Sequence, residues 1–281
     1  MRKLEKWADL HIHSSFSDGE WSPREIIDSA SRIGLSAIAL TDHDTVAGVK
    51  EAITIAMTAG IEVIPAVEIN TDYNDKEIHI LGYFLNVDSP ALLEGLRKQR
   101  EARLKRNEEI IHKLNQLGMR ISLEEVMGLG GGESLGRPHI AQALVNRGYA
   151  ESKEEAFAKW LKRGSPAYVP RCSISWRDAI KLINEADGIA VLAHPGKSYV
   201  DFLIPQMIKE GLEGIEVWHP SHSPDDCHRY LLLTQELSLL ATGGSDAHSP
   251  KDLPHKDLPY MERYWVSYQR VEKLRERAHL P

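Results

Sequence analysis

Short apolar runs alternate with stretches of helical period along most of this chain, and that alternation constrains its fold more than any other feature. "SAIALT" (36–41), "IEVIPAVEI" (61–69), "IAVLAH" (189–194), "GIEVWHP" (214–220) and "SLLATGGSDAH" (238–248) read as buried strands. Helical patterns lie between them. Ser22-Pro23-Arg24-Glu25 is a capping box with proline at the first helical position. Ile26, Ile27, Ala30 and Ile33 then make one apolar face, and Gly34 ends the helix. "TVAGVKEAITIAMTAG" is a second helix, closed by Gly60. "NTDYNDKEIHILGYF" (70–84) predicts a turn and a returning strand that carries His79. Further helices are expected at "SWRDAIKLINEADG", at "FLIPQMIKEG" and near 224–237 and 269–278. Such a pattern argues for a parallel α/β sheet with helices outside it, and a barrel is one closed form of that arrangement.

The pattern breaks near Pro90. "LEGLRKQREARLKRNEEIIHKLNQLGM" is one long charged helix, followed by helical pieces at "SLEEVM", "PHIAQALVNRG" and "SKEEAFAKWLKRG". Residues 91–170 therefore read as an all-helical insertion, splitting the α/β part into 1–90 and 171–281. The 281 residues are enough for one large domain with an insertion. A net charge of -7 gives no global basic field for a long duplex nucleic acid. A small phosphorylated substrate stays possible, because a metal site supplies positive charge locally. Cys172 and Cys227 make no disulfide framework and suggest a reducing compartment. The first residues are too polar for a signal peptide, and no run is apolar for the ~18 residues a membrane span needs. The expected place is the cytoplasm, with no membrane partner.

The 13 histidines are the unusual count, and their positions matter more than their number. In "ADLHIHSSFSDG", His11 and His13 are two apart, so on a strand they share a face. His43, Glu68, His194, His219, Asp246 and His248 also fall at or just beyond the ends of expected strands. In an α/β barrel those ends open on one face, where active sites are built. The candidate ligands are His11, His13, Asp18, His43, Glu68, His79, His194, Asp246 and His248. They are too many for one ion, but with a carboxylate shared between two ions they suffice for three. Histidine plus carboxylate without thiolate suits Mn, Fe or Zn.

"DLHIHSSFSDG", "TDHD", Glu68, "AHP" and "GSDAH" together resemble the motifs of the PHP (polymerase and histidinol phosphatase) family, within the wider amidohydrolase group. "GRPHIAQAL" (136–144) and "HPSHS" (219–223) look most similar to its branch acting on nucleotide phosphates and short oligoribonucleotides. The resemblance implies a distorted (β/α)7 barrel with a trinuclear metal site. It implies that His11, His13, Glu68 and Asp246 hold one ion, and that Glu68 bridges to a second held by His79 and His194. Asp18, His43 and His248 would hold the third. Some relatives have histidine at the position of Asp18. The expected reaction is hydrolysis of a phosphate monoester of a small nucleotide, such as a 3′,5′-bisphosphonucleotide, or of the 5′ end of short RNA. A metal-activated hydroxide would attack phosphorus. Glu68 and Asp246 are the catalytic carboxylates in this scheme, and His222 is the candidate acid.

Substrate contacts are expected from Arg137 and His139, which open a helix where backbone N–H groups suit a second phosphate. Lys197 and His222 are further candidates, His219 less so, with Lys162, Arg163 and Arg171 behind them. Arg97, Lys98, Arg100, Arg103, Lys105 and Arg106 form a basic run that reads mainly as a solvated face. Asp42 and Asp44 flank a ligand histidine, and Asp44 reads more readily as a cap or turn residue than as its orienting partner. Tyr168 reads more readily as a packing residue than as one that stacks a base, and Trp7, Trp160 and Trp218 read as core rather than recognition residues. His112, His228, His255 and His279 read as surface residues. Competing functions are a phosphatase for a non-nucleotide metabolite of the histidinol phosphate kind, a metal-stabilised scaffold without turnover, and a C–N hydrolase.

Overall fold

A computed structural model describes residues 6–74, 76–129, 134–170, 174–252 and 264–280. Arg171, Cys172 and His255 lie outside the described residues. In chain order the first elements are β1 (Trp7–Ile12), α1 (Pro23–Ile33), β2 (Ala37–Leu40), α2 (Val49–Ala59), β3 (Glu62–Tyr73) and β4 (Lys76–Tyr83). Helices α3 (Pro90–Gln116), α4 (Leu123–Met127), α5 (Arg137–Asn146) and α6 (Lys153–Ala156) follow, with a π-helical turn at Phe157–Leu161. The alternation then resumes with α7 (Trp176–Asn184), β5 (Ile189–Leu192), α8 (Pro195–Ser198), α9 (Ile204–Lys209), β6 (Leu212–Trp218), α10 (Pro224–Glu236) and β7 (Leu240–Gly243). It ends with β8 (Val266–Ser267) and α11 (Tyr268–Arg277).

The strands form one sheet in the order β7-β6-β5-β4-β3-β2-β1-β8. β1, β2 and β3 are parallel, as are β5, β6 and β7. β4 runs antiparallel to both neighbours. The sheet curls into a nearly closed, distorted barrel. Beyond β7 the chain meets β1 again: Asp246 N donates to His11 O at 2.8 Å and His13 N to Ala247 O at 2.9 Å. This seam needs Gly244, since a Cβ there would lie 2.4 Å from His11 Cβ and N.

Alternation sorts the side chains. Leu10, Ala37, Ala39, Ile64, Ala66, Leu81, Tyr83 and Val191 fill the barrel interior. Val271 and Leu274 of α11 join that cluster at the end where β8 pairs with Trp7 and Ala8. Ile38, Leu40 and Val63 face outward onto Ile26, Ile27 and Ala52 of α1 and α2. Ile80, Leu192 and Ile215 face outward onto α7 and α10 through Ile180, Ile183 and Tyr230. Trp7 and Trp218 pack against these clusters, and Trp160 packs on the apolar cluster of the helical stretch. That stretch, α3 to the π-helical turn, adds no strand and closes around its own core of Ile110, Leu114, Ile140, Leu144 and Leu161. Gln99 of α3 ties it to the barrel, donating to Asn70 O at 2.8 Å and accepting from Ile174 N at 3.0 Å.

Two local features depart from the sequence pattern. "NTDY", read as a turn, continues β3 to Tyr73, because β4 pairs with it from Tyr83 back to Lys76 and carries the hairpin past the barrel rim. In β1 the pairing with β2 shifts between Asp9 and Ile12. Ala8 and Leu10 face the interior, and the irregularity turns His11 toward the mouth as well. From His11 onward alternation holds as expected: Ile12 packs outward with Trp21 and Ile26, and His13 returns to the mouth beside His11.

Candidate functional site

Every described candidate ligand reaches one end of the barrel. Glu68, fully buried on β3, is the hub. Its Oε2 lies 3.2 Å from His11 Nε2, 3.2 Å from His13 Nε2 and 3.1 Å from His43 Nδ1. Its Oε1 lies 2.8 Å from His79 Nδ1 and 3.1 Å from His194 Nε2. Asp246 Oδ1 lies 3.4 Å from His11 Nε2 and 3.2 Å from His13 Nε2. To one side His248 Nε2 is 3.4 Å from Asp18 Oδ1, with His43 Nε2 3.8 Å from Asp18 Oδ2.

Two tests ask whether such a cage fits divalent ions. The first is spacing: ligands about 2.1 Å from a shared tetrahedral ion stand about 3.4 Å apart, close to the separations around Glu68 and Asp246. The second is satisfaction. His11 Nε2, both ring nitrogens of His13, Glu68 Oε2 and His79 Nε2 are buried and make no hydrogen bond. An orphaned buried polar atom costs about 1–3 kcal/mol, and here the orphans converge on common points. His11, His13, Glu68 and Asp246 form one ligand cluster, and His13, Asp18, His43 and His248 another. His43, Glu68 and His79 form a third. The donor set fits divalent metal ions.

The protonation states divide the ligands. Against the opposing effect of burial, Glu216 and Glu68 hold His11 well above its usual value, and the hydrogen-bonded carboxylates Asp246 and Glu68 hold His13 up at about 10, so a bound ion would displace protons from these two rings. Burial pulls His43 down to about 3 and His194 down to about 4, leaving neutral rings with lone pairs to give. Burial opposes ionisation of Glu68 and Asp246, but the surrounding histidines, led by His79 for the first and His11 for the second, hold both carboxyls well below their usual range.

Neighbouring groups fix the ligands. Glu216, fully buried inside β6, holds His11 Nδ1 at 2.9 Å and accepts from His194 N at 2.8 Å. Burial opposes its charge, yet His11 holds it down to about 2. Such a carboxylate fixes the ring so that Nε2 points at the cage. It escaped the sequence analysis, although a lone glutamate within the apolar strand "GIEVW" was a visible signal. Asp44 turns out not to cap. It sits at φ 55°, and its carboxylate accepts from Asn70 N and Nδ2 at 2.9 Å and from Arg103 Nη2 at 2.6 Å. Asn70 Nδ2 is also 3.1 Å from His43 Nδ1, so α3 is linked to a ligand histidine. The basic run splits by helical period: Arg100, Arg103 and Arg106 bond inward, while Arg97 and Lys98 pair with Glu94 at the surface. Asp42 accepts from Ser14 N and from the Ser14 and Ser17 hydroxyls at 2.7 Å, tying down the loop after β1.

His219, ranked low from sequence, places Nε2 3.1 Å from Asp246 Oδ2 and joins a cluster with His194 and Asp246. His222 requires a correction. Its Nδ1 bonds Val217 O at 2.9 Å and its Nε2 accepts from Gly196 N at 3.1 Å. With both nitrogens committed to backbone, the ring holds the α8 turn in place and has no proton to deliver to a leaving group. Lys197, on that turn, puts Nζ 3.0 Å from Asp246 Oδ2. His112, His228 and His279 are exposed, away from the cage.

The cage opens into a cavity of about 360 Å³ lined by His43, Glu68, His79, His194, Asp246 and His248, with Lys76, Glu77, Lys197 and Ser198 at its edge. A second cavity of about 230 Å³ shares Glu77 and is lined by Asp72, Arg106, Arg137, Lys162, Arg163 and Tyr168. Tyr168, expected to pack, is thus a wall residue. Arg137 lies over the Phe157 ring and donates to Glu77 at 2.9 Å. His139, beside it, accepts from Gly136 N at 3.0 Å and closes the start of α5.

Residues 9–163 match the PHP domain model. The chain belongs to the PHP-domain family. It is 36% identical to the 3′,5′-nucleoside bisphosphate phosphatase of Chromobacterium violaceum, over 89% of this chain and 92% of that protein. It is also 36% identical to a 5′-3′ exoribonuclease of Haemophilus influenzae, over 88% and 92%. Among solved structures it is similar to an amidohydrolase from Chromobacterium violaceum with bound sulfate and no metal, at 35% identity and a TM-score of 0.83, covering 95% and 96%. As a PHP member this chain is a hydrolase of phosphoric esters that uses divalent metal. No helix among the described residues is long and apolar enough to cross a membrane.

Proposed function

We propose that the chain hydrolyses a phosphate monoester of a small nucleotide carrying a second phosphate, such as a 3′,5′-bisphosphonucleotide, or the 5′ end of short oligoribonucleotides. The observation that carries this is the pair of adjoining cavities, one lined by the ligand cage and one by Arg106, Arg137, Lys162 and Arg163. Two anionic groups on one small molecule would be received separately. The names of the relatives, a bisphosphate phosphatase and a 5′-3′ exoribonuclease, agree with such a substrate. In this proposal residues 91–170 are an insertion that shapes specificity, and the barrel parts 1–90 and 171–281 carry the chemistry, in a reducing cytoplasm.

His11, His13, Glu68 and Asp246 would hold one ion, Glu68 with His79 and His194 a second, and Asp18, His43 and His248 a third. Mn, Zn and Fe suit these donors. Bound there, divalent ions make water a nucleophile at neutral pH and clamp the charge of an in-line displacement. The rest falls to the chain. Glu216 and Asn70 keep the ligand rings oriented. Lys197 brings an ammonium to the edge of the cage, where it would meet the reacting phosphate. Arg137 and the N–H groups at the start of α5, closed by His139, would hold the distal phosphate. Phosphate release from a panel of phosphoesters, with added Mn, Zn or Fe and with chelator, tests the proposal. Metal-dependent release, fastest from a 3′,5′-bisphosphonucleotide, is expected. No release from any phosphoester by fully metallated protein would overturn it.

A further inference from the structure

Two aromatic rings stand in solvent beside the mouth of the cage. Tyr199 is 75% exposed and Phe202 is 59% exposed. The other exposed large apolar side chains among the described residues are Met57, Leu93, Leu117, Met127, Leu129, Leu232 and Leu280, none of them aromatic. Both exposed aromatics thus fall in one place. Tyr199 follows directly on Lys197 and Ser198, which edge the cage cavity. It closes α8 in the left-handed region at φ 53°, and its carbonyl accepts from Lys76 Nζ at 3.1 Å. That ammonium also lies 6.0 Å from the Phe202 ring centre, and Tyr73 meets Phe202 edge-on at 6.0 Å. The strip is therefore tied to the hairpin that carries His79.

Lys76 and Glu77 both edge the cage cavity, but successive strand residues point to opposite faces. Glu77 leads to the basic cavity, whereas Lys76 leads to the aromatic strip. Two arms leave the reacting centre, one basic and one aromatic with an ammonium. An aromatic face, that of Phe202, beside the Lys76 ammonium, with the exposed Tyr199 three residues before it and a site for phosphoesters alongside, matches a nucleobase: every base has a π-face to stack, and the neighbouring phosphates pair with lysine.

We propose that Tyr199 and Phe202 form a stacking subsite for the second nucleobase of a short 5′-phosphorylated oligoribonucleotide. This rests on the function proposed above and deepens it. The first nucleotide would keep its 5′-phosphate in the basic cavity, with its 3′ oxygen and the attached phosphorus at the cage. Water gives its oxygen to phosphorus, the bond from phosphorus to that 3′ oxygen breaks, and the 3′ oxygen takes a proton. The same bond breaks in a 3′,5′-bisphosphonucleotide. The oligonucleotide differs only in a second nucleoside esterified to that phosphorus, and this is the part the strip receives.

The test compares kcat/KM for 5′-phosphorylated triadenylate, the same trinucleotide abasic at its second position, and adenosine 3′,5′-bisphosphate. The proteins are the Mn-loaded wild type, Phe202→Ala and the double variant Tyr199→Ala/Phe202→Ala. The rate ratio of triadenylate to bisphosphate should fall roughly five- to a hundredfold in the double variant, the span of base–aromatic stacking. Removing the second base should cost the wild type a similar factor and the double variant little more. Fluorescence anisotropy of labelled triadenylate on metal-free protein should weaken in parallel. An unchanged ratio, or an abasic substrate processed as fast as triadenylate by the wild type, would overturn the subsite. If the wild type hydrolyses none of these, the proposed function fails, and anisotropy with the variants and the abasic probe still decides the strip.

Discussion

The two cavities that meet at Glu77 are built on different principles. The cage is made of short side chains on strand ends, buried and locked by partners such as Glu216 and Asn70. Its geometry belongs to the sheet, and the histidine nitrogens around Glu68 lie 2.8–3.2 Å from its carboxylate oxygens. The basic cavity is made of long arginines and lysines from helices and turns between β4 and β5. Arg137 rests there on Glu77 and Phe157, partners that a bound anion could replace. Rigid short ligands suit a reaction that one protein must perform the same way each time. Long adaptable cations suit recognition, where a loss of fit costs affinity before it costs chemistry.

That contrast can be broken at graded points. Glu68→Ala has the largest expected effect. It removes the hub of the cage, so phosphoester hydrolysis should vanish and bound metal per chain should drop in elemental analysis. Surviving activity would exclude a bridging role. Gly244→Ala comes next, because its Cβ would strike His11 backbone at 2.4 Å. Overpacking of this kind costs about 1–3 kcal/mol, and thermal melts should show it together with weakened metal binding. Glu216→Ala leaves every ligand in place, yet should cost about 10–100-fold in metal affinity, read by chelator competition, with Glu216→Gln recovering part of the loss. Arg137→Ala should have the narrowest effect, confined to one class of substrate. It should lower kcat/KM for a bisphosphonucleotide by roughly 10–100-fold, the worth of one charged hydrogen-bonded contact, and hardly change hydrolysis of an aryl phosphate. Equal losses on both substrates would remove Arg137 from recognition.

The same contrast explains what the sequence could show. Strand and helix signals were strong because periodicity and caps are local: the Ser22–Glu25 capping box and the Gly34 stop form as read. The candidate ligands were legible because chain direction and strand ends place such residues on one rim. Residues that act through partners were harder to read. Asp44 is the turn residue its place suggests, but its ion pair with Arg103, distant in sequence, shows only in the fold. His222 looks like a proton donor until Gly196 N is found on its Nε2. The bulge in β1 and the prolonged β3–β4 hairpin depend on pairing between strands, which no single segment encodes.

Anomalous diffraction from crystals grown with Mn addresses the central claim most directly, because it locates ions independently of any assay. Peaks are expected between His11, His13, Glu68 and Asp246, and between Glu68, His79 and His194, with Glu68 touching both. Ions bound only elsewhere, or a cage whose orphaned nitrogens carry no ion at saturating Mn, would contradict the account.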